Sequence, residues 1–503
     1  MGILAGFMLP HPPLIIPEIG RGEEKAIQNT INAYHKAAQE IAALRPETIV
    51  LLSPHQTMYA DYFHISPGRS AMGDFGQFGA KQVHMEVSYD TEFVKNLGGL
   101  AGARGLHAGT LGEREKKLDH GTCVPLWFVS QYYTEYQLVR IGLSGFPLTA
   151  HYRLGQCIRE VAGLLGRNTV VIASGDLSHR LKEDGPYGYQ KEGPEYDARI
   201  MDVMGRGAFG ELFAFEEEFC EKAGECGHRS FTILAGAFDR TAVDATRLSY
   251  EGPFGVGYGI CTFHVRGMET GHSIGKKRSM TEKYSMEKEH SAEETRSMAG
   301  GYSVEEEHSI DESRNFLEQF EAREKERLRA QQEKEDPYVK LARHTIETWL
   351  STGKRPAVPE GLPEELYRRR AGAFVSLKED GKLRGCIGTI SPVRDSLAEE
   401  IIHNAVSACS EDPRFSPVEQ WEVERLTISV DVLGNTERIS SPAELDPARY
   451  GVIVTKGGRR GLLLPNLEGM DTVEEQIAIA KQKAGIRESE AVALERFEVV
   501  RHY

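Results

Sequence analysis

Three histidines lie just beyond short apolar segments of the chain. His11, His55 and His179 each follow such a segment, and residues 170–173 before His179 are a representative example. Runs of β-branched and other apolar residues predict buried strands, and ligands of open α/β sheets bind beyond the carboxyl ends of the strands. One histidine in this place is most often a surface or loop residue, whereas three predict a shared metal or acid–base site.

Two further side chains that suit this site lie in other segments. His120 is in a loop that leads into a helix, and Glu225 is in a Gly-flanked turn before an apolar helix at 231–238. Two imidazoles and one carboxylate form the ligand set of non-haem Fe(II) oxygenases, which keeps coordination positions open for a substrate and for dioxygen. The remaining histidines then act as base and acid, because a neutral imidazole takes a phenolic or enolic proton.

The segments that must position these residues alternate between strand and helix patterns. Apolar residues recur on one face over 20–43, which predicts an amphipathic helix between the first two strands and hence a β-α-β unit. A glycine-containing stretch over 56–90 is expected to fold over the site as an insertion or a hairpin. Thr122 is a candidate N-cap of the helix that follows His120. These patterns predict an α/β fold for the first part of the chain.

The composition limits the classes of protein that fit. The 503 residues suffice for about two to four domains, and the net charge of −15 argues against general polyanion binding, so there is no strong nucleic-acid signal. Seven unevenly spaced cysteines without a CxxC pair favour reduced thiols in a cytoplasmic protein. The N-terminus lacks the basic region of a signal peptide, and no segment reaches the ~20 apolar residues of a membrane-spanning helix.

The composition changes twice along the chain. Residues 267–336 are rich in charged and poor in apolar residues, which predicts a charged linker that becomes helical over 316–334. A new globular pattern then begins, with two hairpin strands around a turn at Asp380 and Gly381 and with helices between paired strands. This pattern predicts an α+β domain over 337–503.

Cys386 is the candidate catalytic residue of this second domain. It lies between two glycines on a predicted hairpin strand, and a side-chain period of two puts Arg384 on the same face of that strand. A nearby guanidinium lowers the pKa of a thiol, which favours a nucleophilic or ligand-binding Cys386. The alternative is a small buried side chain between glycines that permit close packing. The pattern leaves both interpretations open.

The histidine segments resemble a known superfamily. The sequences LPHPP at 9–13, SPH at 53–55, DHG at 119–121 and SGDLSH at 174–179 resemble motifs of the LigB-type class III extradiol dioxygenases, which share a superfamily with the MEMO-like proteins. The resemblance covers residues 1–266 and implies a mostly parallel central sheet flanked by helices.

The same resemblance implies roles for the candidate residues. Fe(II) would be held by His11, His55 and Glu225, with His179 as the general base and His120 binding or polarising substrate and oxygen. The implied activity is oxidative ring cleavage, and the implied substrate is a small catechol-like or other metal-chelating compound.

One position departs from the dioxygenase pattern. MEMO-like members of the superfamily carry a cysteine where the dioxygenases carry the glutamate, and in this chain Glu225 and Cys226 are adjacent. A thiolate ligand favours zinc or a different iron chemistry. The alternative function is therefore a MEMO-like protein that binds iron, copper or zinc and does not cleave rings. Arg229, in the same turn, either clamps a substrate carboxylate or forms a structural salt bridge at the helix start.

The second domain resembles another family. The sequences LRGCIG at 383–388, DPRF at 412–415 and KGGRRGLLLP at 456–465 resemble the AMMECR family, whose reaction is poorly defined. An AMMECR domain beside a MEMO/LigB-like domain is typical of the AmmeMemoRadiSam system, which implies a separate radical SAM protein as a partner. Radical SAM chemistry is oxygen-sensitive, which counts against assuming that the first domain uses dioxygen. A homo-oligomer is a further expectation at the level of the family.

Overall fold

The computed structural model describes residues 2–114, 117–267, 316–379, 381–467, 470 and 472–503. The chain divides into two units, Met1–Phe320 and Glu321–Tyr503. Most of the expected linker, 268–315, lies outside the described residues, and so does Asp380 of the expected turn. The helix expected at the end of the linker is present as Phe316–Glu333.

Strands and short or medium-length helices alternate through the first unit. Its strands are β1 Ile3–Leu9, β2 Thr48–Ser53, β3 Phe63–His64, β4 Ser70–Phe75, β5 Ala80–Ser88, β6 Ala108–Gly109, β7 Gln137–Gly142, β8 Thr169–Ser174, β9 Val243–Glu251 and β10 Tyr258–Val265. Its helices are α1 Pro17–Gly20, α2 Gln28–Leu44, α3 Thr91–Ala103, α4 His120–Ser130, α5 Leu148–Leu164, α6 Glu192–Arg206, α7 Glu217–Ala223, α8 His228–Ala237 and the first residues of α9 Phe316–Glu333.

The central sheet of the first unit has the strand order β7-β2-β8-β1-β10-β9. The strands β7, β2, β8 and β1 are parallel, and β10 and β9 complete the sheet as antiparallel strands. Every residue of β2 and β8 is buried, because an apolar core lies on each face of the sheet. The predicted α/β class with a mostly parallel sheet is confirmed.

Helices α5 and α8 pack at backbone contact on one face of this sheet. A Cβ atom added at Gly155 would lie 2.0 Å from the carbonyl oxygen of Ile233, and one added at Gly236 would lie 2.0 Å from that of Tyr152. Glycine is the residue that permits this approach. The contact positions α8 and therefore the turn with Glu225 and Cys226 that precedes it.

Two local features differ in detail from the sequence-based expectation, and a third agrees with it. The helix expected over 20–43 begins later, because Gly22 adopts a φ of 107° and a short 3-10 segment follows it. The stretch 56–90 contains the antiparallel hairpin β4–β5. Asp119, not Thr122, is the N-cap of α4, since its carboxylate accepts the backbone N–H of Thr122 at 3.0 Å.

The second unit is built from antiparallel strands and helices. Its strands are β11 Ala373–Glu379, β12 Lys382–Gly388, β13 Leu426–Leu433, β14 Glu437–Ile439, β15 Gly451–Lys456, β16 Arg459–Leu463, β17 Ala493–Phe497 and β18 Val499–His502. Its helices are the rest of α9 and α10 Pro337–Thr352, α11 Glu364–Arg368, α12 Leu397–Ser410 and α13 Val473–Lys483. Two sheets form, with the orders β12-β11-β13-β18 and β14-β17-β15-β16. The predicted α+β class is confirmed.

None of the helices in the described ranges combines the length and the apolar character that a bilayer crossing requires. The helix α9, with 18 residues, consists largely of charged and polar side chains.

Candidate metal centre

His11 and His55 meet at the carboxyl edge of the central sheet. They follow β1 and β2, the two strands on either side of β8. Their Nε2 atoms are 2.8 Å apart, and the two rings meet edge to face with centroids 4.6 Å apart. The parallel strands thus bring two imidazole nitrogens to one point, as ligands of a single cation require.

Cys226 supplies a third donor atom at the same point. Its Sγ lies 3.6 Å from Nε2 of His11, and one donor atom each of His11, His55 and Cys226 lies within 4.8 Å of the other two. Burial and the nearby carboxyl groups raise the pKa of the Cys226 thiol well above its usual value. The thiol is therefore protonated without a cation, and metal binding would release that proton.

The hydrogen bonds of His11 determine which of its ring nitrogens faces the cluster. The hydroxyl of Ser174 donates to the carbonyl oxygen of Gly121 at 2.6 Å, so its oxygen accepts from Nδ1 of His11 at 2.9 Å. With the proton on Nδ1, the lone pair of Nε2 is directed to the cluster. Burial, and then the neighbouring His55, lowers the pKa of His11 well below its usual value. A neutral imidazole with this tautomer fits a metal ligand.

Asp176 connects the strand end of His11 with the turn of Cys226. Its carboxylate accepts the backbone N–H of His11 at 2.7 Å, and its own backbone N–H donates to Sγ of Cys226 at 3.3 Å. Burial raises the pKa of this carboxyl group to about 6, although the nearby His179 acts in the opposite direction. In the sequence, Asp176 is recognisable only as part of a turn. Its contacts join segments that are far apart in the chain, so local sequence does not reveal them.

His120 lies beside both histidines of the cluster, in the first turn of α4. Its ring centroid is 4.0 Å from that of His55 and 5.4 Å from that of His11. Burial and then these two neighbours lower the pKa of His120 to about 3, so its ring is neutral. Phe78, in the turn of the β4–β5 hairpin, contacts the same ring edge to face at 5.4 Å. The structure brings His120 into the site.

His179 lies in the loop after β8, within electrostatic reach of His11 and His55. Tyr187 stacks on its ring with centroids 5.1 Å apart. Its Nε2 is buried and forms no hydrogen bond with any residue that the structure describes. Burial lowers the pKa of His179, while the Asp176 carboxylate acts in the opposite direction. A neutral imidazole with an unpaired nitrogen has the properties of a proton acceptor.

A buried ion pair anchors the start of α4, where His120 lies. Arg140 in β7 lies 2.6 Å from the Asp119 carboxylate, and the hydroxyl of Ser53 donates to the same carboxylate at 2.6 Å. Burial acts to raise the pKa of Asp119, but Arg140 and these hydrogen bonds outweigh it and lower that pKa. Sequence reasoning missed Arg140. Its signal is a single charged residue within the buried part of strand β7, between Val139 and Ile141.

The sequence matches two known families. A family model described as "Catalytic LigB subunit of aromatic ring-opening dioxygenase" matches residues 5–261, just over half of the chain, and includes the whole cluster. The chain belongs to the LigB family. The AMMECR1 family model matches residues 339–502 of this LigB protein. The predicted fusion of a LigB-type domain with an AMMECR-type domain is confirmed.

Relatives of this LigB protein cover the whole chain or parts of it. Protein CA_C1420 of Clostridium acetobutylicum is 39% identical over 510 aligned positions, which cover 100% of this chain and 99% of that protein. A Thermotoga maritima protein is 54% identical over 170 positions, which cover 33% of this chain and 98% of the relative.

Two solved structures are also similar. The uncharacterized protein PH0010 from Pyrococcus horikoshii has 35% identity and a TM-score of 0.31, and the match covers 33% of this chain and 88% of that one. The uncharacterized protein JW3007 from Escherichia coli K12 has 16% identity and a TM-score of 0.35, and the match covers 52% of this chain and 99% of that one.

Glu225 lies outside the donor cluster of the LigB unit. Its carboxylate accepts the backbone N–H of His228 at 2.6 Å, at the start of α8, and burial raises its pKa to about 7. This contact directs the carboxylate to the first turn of the helix. The donor cluster therefore contains Cys226, the alternative that the sequence left open, and not Glu225, because adjacent residues of the turn point in different directions.

Arg229, in the first turn of α8, forms an ion pair with Glu217 at 3.1 Å. This contact agrees with the second of the two sequence-based interpretations of Arg229, a structural salt bridge at the start of the helix.

Cys386 lies in the AMMECR1 segment, on β12, and its predicted relation to Arg384 changes. The pairing of β12 with β11 shifts register at Arg384, so a bulge interrupts the alternation of side chains that the prediction assumed. The guanidinium of Arg384 pairs with Glu422 at 2.7 Å. The structure therefore does not pair Arg384 with the thiol.

Proposed function

We propose that the LigB unit is an iron-dependent, dioxygenase-like oxidoreductase whose ion is held by His11, His55 and Cys226. The convergence of two neutral imidazoles and one thiol carries this proposal. Nitrogen and sulfur donors also suit zinc and copper, which are the alternative ions. A bound iron ion would acidify a coordinated hydroxyl group and mediate the transfer of electrons from the substrate to dioxygen.

The residues around the cluster suit a flat substrate with an ionisable hydroxyl group. His179 would accept the proton of that hydroxyl group at its unpaired Nε2. His120 would donate a hydrogen bond to the oxygen on which negative charge develops. Phe78 and Tyr187 contact these two histidines and offer aromatic surface for a ring. A small catechol-like or other metal-chelating compound combines these properties.

The thiol donor favours a second candidate function. The dioxygenase pattern uses a carboxylate as the third ligand, whereas here the donor is Cys226. A softer donor set is consistent with a MEMO-like protein that binds metal but does not cleave rings. The AMMECR1 segment in the same chain supports a role beside a radical SAM partner in a modification pathway.

Elemental analysis of the chain purified without oxygen tests the metal site. We expect about one ion per wild-type chain, near-complete loss of the ion in Cys226→Ala, and retention in the matched control Glu225→Gln. The control keeps an acceptor for the backbone N–H of His228. Retention of the ion in Cys226→Ala, or equal losses in both variants, would contradict the proposed ligand set.

Oxygen uptake with protocatechuate-like catechols separates the two candidate functions. Uptake that yields a ring-opened product supports the dioxygenase-like enzyme. An iron- or copper-loaded chain that is inert towards every catechol supports the second candidate instead.

A further inference from the structure

A buried arginine lies beside the elements that carry the histidine cluster. Arg140 is 4% exposed and lies in β7, the edge strand next to β2 in the central sheet. Its guanidinium donates to the Asp119 carboxylate at 2.6 Å and to the hydroxyl oxygen of Ser66 at 3.4 Å. The charge of Arg140 therefore acts on the cluster through Asp119.

This ion pair is better suited to fix geometry than to add stability. The side chains of Arg140 and Asp119 are only 5% and 12% exposed, so both charges have lost most of their hydration. Apolar side chains of similar volume often stabilise a fold as well as such a pair does, or better. A charged hydrogen bond adds direction, because it holds its two partners at a defined distance and angle.

Asp119 uses both of its carboxylate oxygens to hold the first turn of α4. Oδ1 accepts the backbone N–H of Thr122 at 3.0 Å, and Oδ2 accepts the hydroxyl of Thr122 at 3.1 Å as well as the guanidinium of Arg140. As the N-cap, Asp119 fixes the point at which the helix begins. His120 is the first residue of that helix, so the position of its side chain depends on this cap.

The same carboxylate is connected to His55. The hydroxyl of Ser53 donates to Oδ1 of Asp119 at 2.6 Å, and its oxygen accepts the backbone N–H of His55 at 3.3 Å. The first turn of α4 also packs directly on this segment. A Cβ atom added at Gly121 would lie 2.6 Å from Oγ of Ser53 and 3.3 Å from Cδ2 of His55. A displacement of α4 would therefore displace His55.

A third connection reaches His11. The carbonyl oxygen of Gly121 accepts the hydroxyl of Ser174, and the oxygen of that hydroxyl accepts the Nδ1 proton of His11. The first turn of α4 thus helps to set the tautomer of His11. The three imidazoles of the site have one common support, which is the start of α4 held by Asp119 and Arg140.

We propose that Arg140 is a positioning residue of the metal centre, which keeps the three imidazoles converged by holding Asp119 in place. This inference rests on the proposed metal centre and adds to it a residue that is not itself a ligand. Arg140→Met would leave the Asp119 carboxylate without its cation and free α4 to shift.

Cobalt(II) titration of the reduced, metal-free full-length chain tests this role. A sulfur-to-cobalt absorption band reports ligation by Cys226, and its growth with added cobalt gives the dissociation constant. The loss of a group that orients metal ligands weakens metal binding by about 10- to 100-fold. We expect Arg140→Met to raise the dissociation constant by that factor.

Arg167→Met is the matched control. Arg167 lies 3.7 Å from the carboxylate of Asp90, which is the N-cap of α3, so the arrangement of Arg140 and Asp119 is repeated there. Asp90 also accepts the hydroxyl of Thr48, at the opposite end of β2 from the cluster. This variant should lower stability and leave the cobalt dissociation constant unchanged.

Ser53→Ala gives a second measurement if Arg140→Met does not fold. It removes only the hydroxyl group that connects Asp119 with His55, and it should raise the dissociation constant by about tenfold. An unchanged constant in folded Arg140→Met or in Ser53→Ala would overturn the proposal. Equal increases in Arg140→Met and Arg167→Met would do the same.

Backbone hydrogen exchange of the metal-free chain separates this inference from the metal centre itself. We expect faster exchange over 118–124 in Arg140→Met and in Ser53→Ala, whereas Arg167→Met should affect 90–95 instead. Unaltered exchange over 118–124 in the first two variants would contradict the positioning role. A wild-type chain that binds no cobalt would contradict the proposed metal centre, and the exchange pattern would still decide whether Arg140 positions the start of α4.

Discussion

At the residue scale, the proposed proton transfer depends on His179. Its unpaired Nε2 is near the cluster but is not one of the three donor atoms. For a compound that the wild type turns over, we expect His179→Ala to lower kcat by about 10²- to 10⁴-fold with unchanged metal content. Turnover assays and elemental analysis check both parts. Full turnover, or loss of metal, would show that the assigned role is wrong, and exposed His344→Ala serves as the control.

His151 gives the first unit a pH dependence of stability that is separate from the metal cluster. Its Nδ1 donates to the carbonyl oxygen of Pro147 at 3.0 Å, and burial lowers its pKa to about 3. The unfolded pKa is near 6.5, so as the pH falls below that value the unfolded state takes up the proton first. The stabilisation by neutral His151 is therefore complete above about pH 6.5 and decreases towards lower pH.

The variant His151→Asn measures this contribution. It should lower the free energy of unfolding at pH 7.5, and the difference from wild type should shrink by about 1–2 kcal/mol at pH 5. Urea unfolding of both proteins at the two pH values provides the comparison. A difference that stays constant or grows towards pH 5 would contradict the burial of a neutral His151.

At the scale of elements, the contact between α5 and α8 positions the turn of Cys226. Gly155→Ala would place a methyl group 2.0 Å from the carbonyl oxygen of Ile233. We expect a loss of about 1–3 kcal/mol in the free energy of unfolding and weaker metal binding, because α8 must move. Denaturant unfolding and metal titration measure the two effects.

Gly163→Ala in the same helix is the matched control. Nothing lies within 4 Å of the added Cβ atom, so this change should stabilise the protein by about 0.5–1 kcal/mol. Equal effects of the two substitutions would show that the helix contact does not limit stability.

The elements differ in how well local sequence predicts them. The strands β2 and β8 are predictable because every residue is buried and the run is continuously apolar. Strand β9 was not predicted, since exposed polar residues such as Asp244 and Arg247 lie within it. It forms because β10 supplies the hydrogen-bonding partner, which local sequence does not specify.

At the scale of the whole molecule, the proposed metal ligands all belong to the first unit. A ligand that binds the folded state stabilises it by mass action, by about 2.7 kcal/mol at a concentration 100 times its dissociation constant. Added ferrous ion should therefore raise the Tm of one calorimetric transition by roughly 5 °C. The transition of the second unit should not move.

Cys226→Ala provides the control for this experiment, because it lacks one donor atom of the cluster. Its first transition should no longer respond to the ion. A shift of both transitions in the wild type, or an undiminished shift in the variant, would contradict a single site in the first unit.

The sequence by itself determined the two families, the fold classes and the histidines at the strand ends. Motifs and apolar runs are local properties, so they are visible in the chain before it folds. Only the tertiary structure decided that Cys226 and not its neighbour Glu225 joins His11 and His55, and that Arg384 turns to Glu422. These outcomes depend on the direction of side chains at a turn and at a bulge, which packing between distant segments sets.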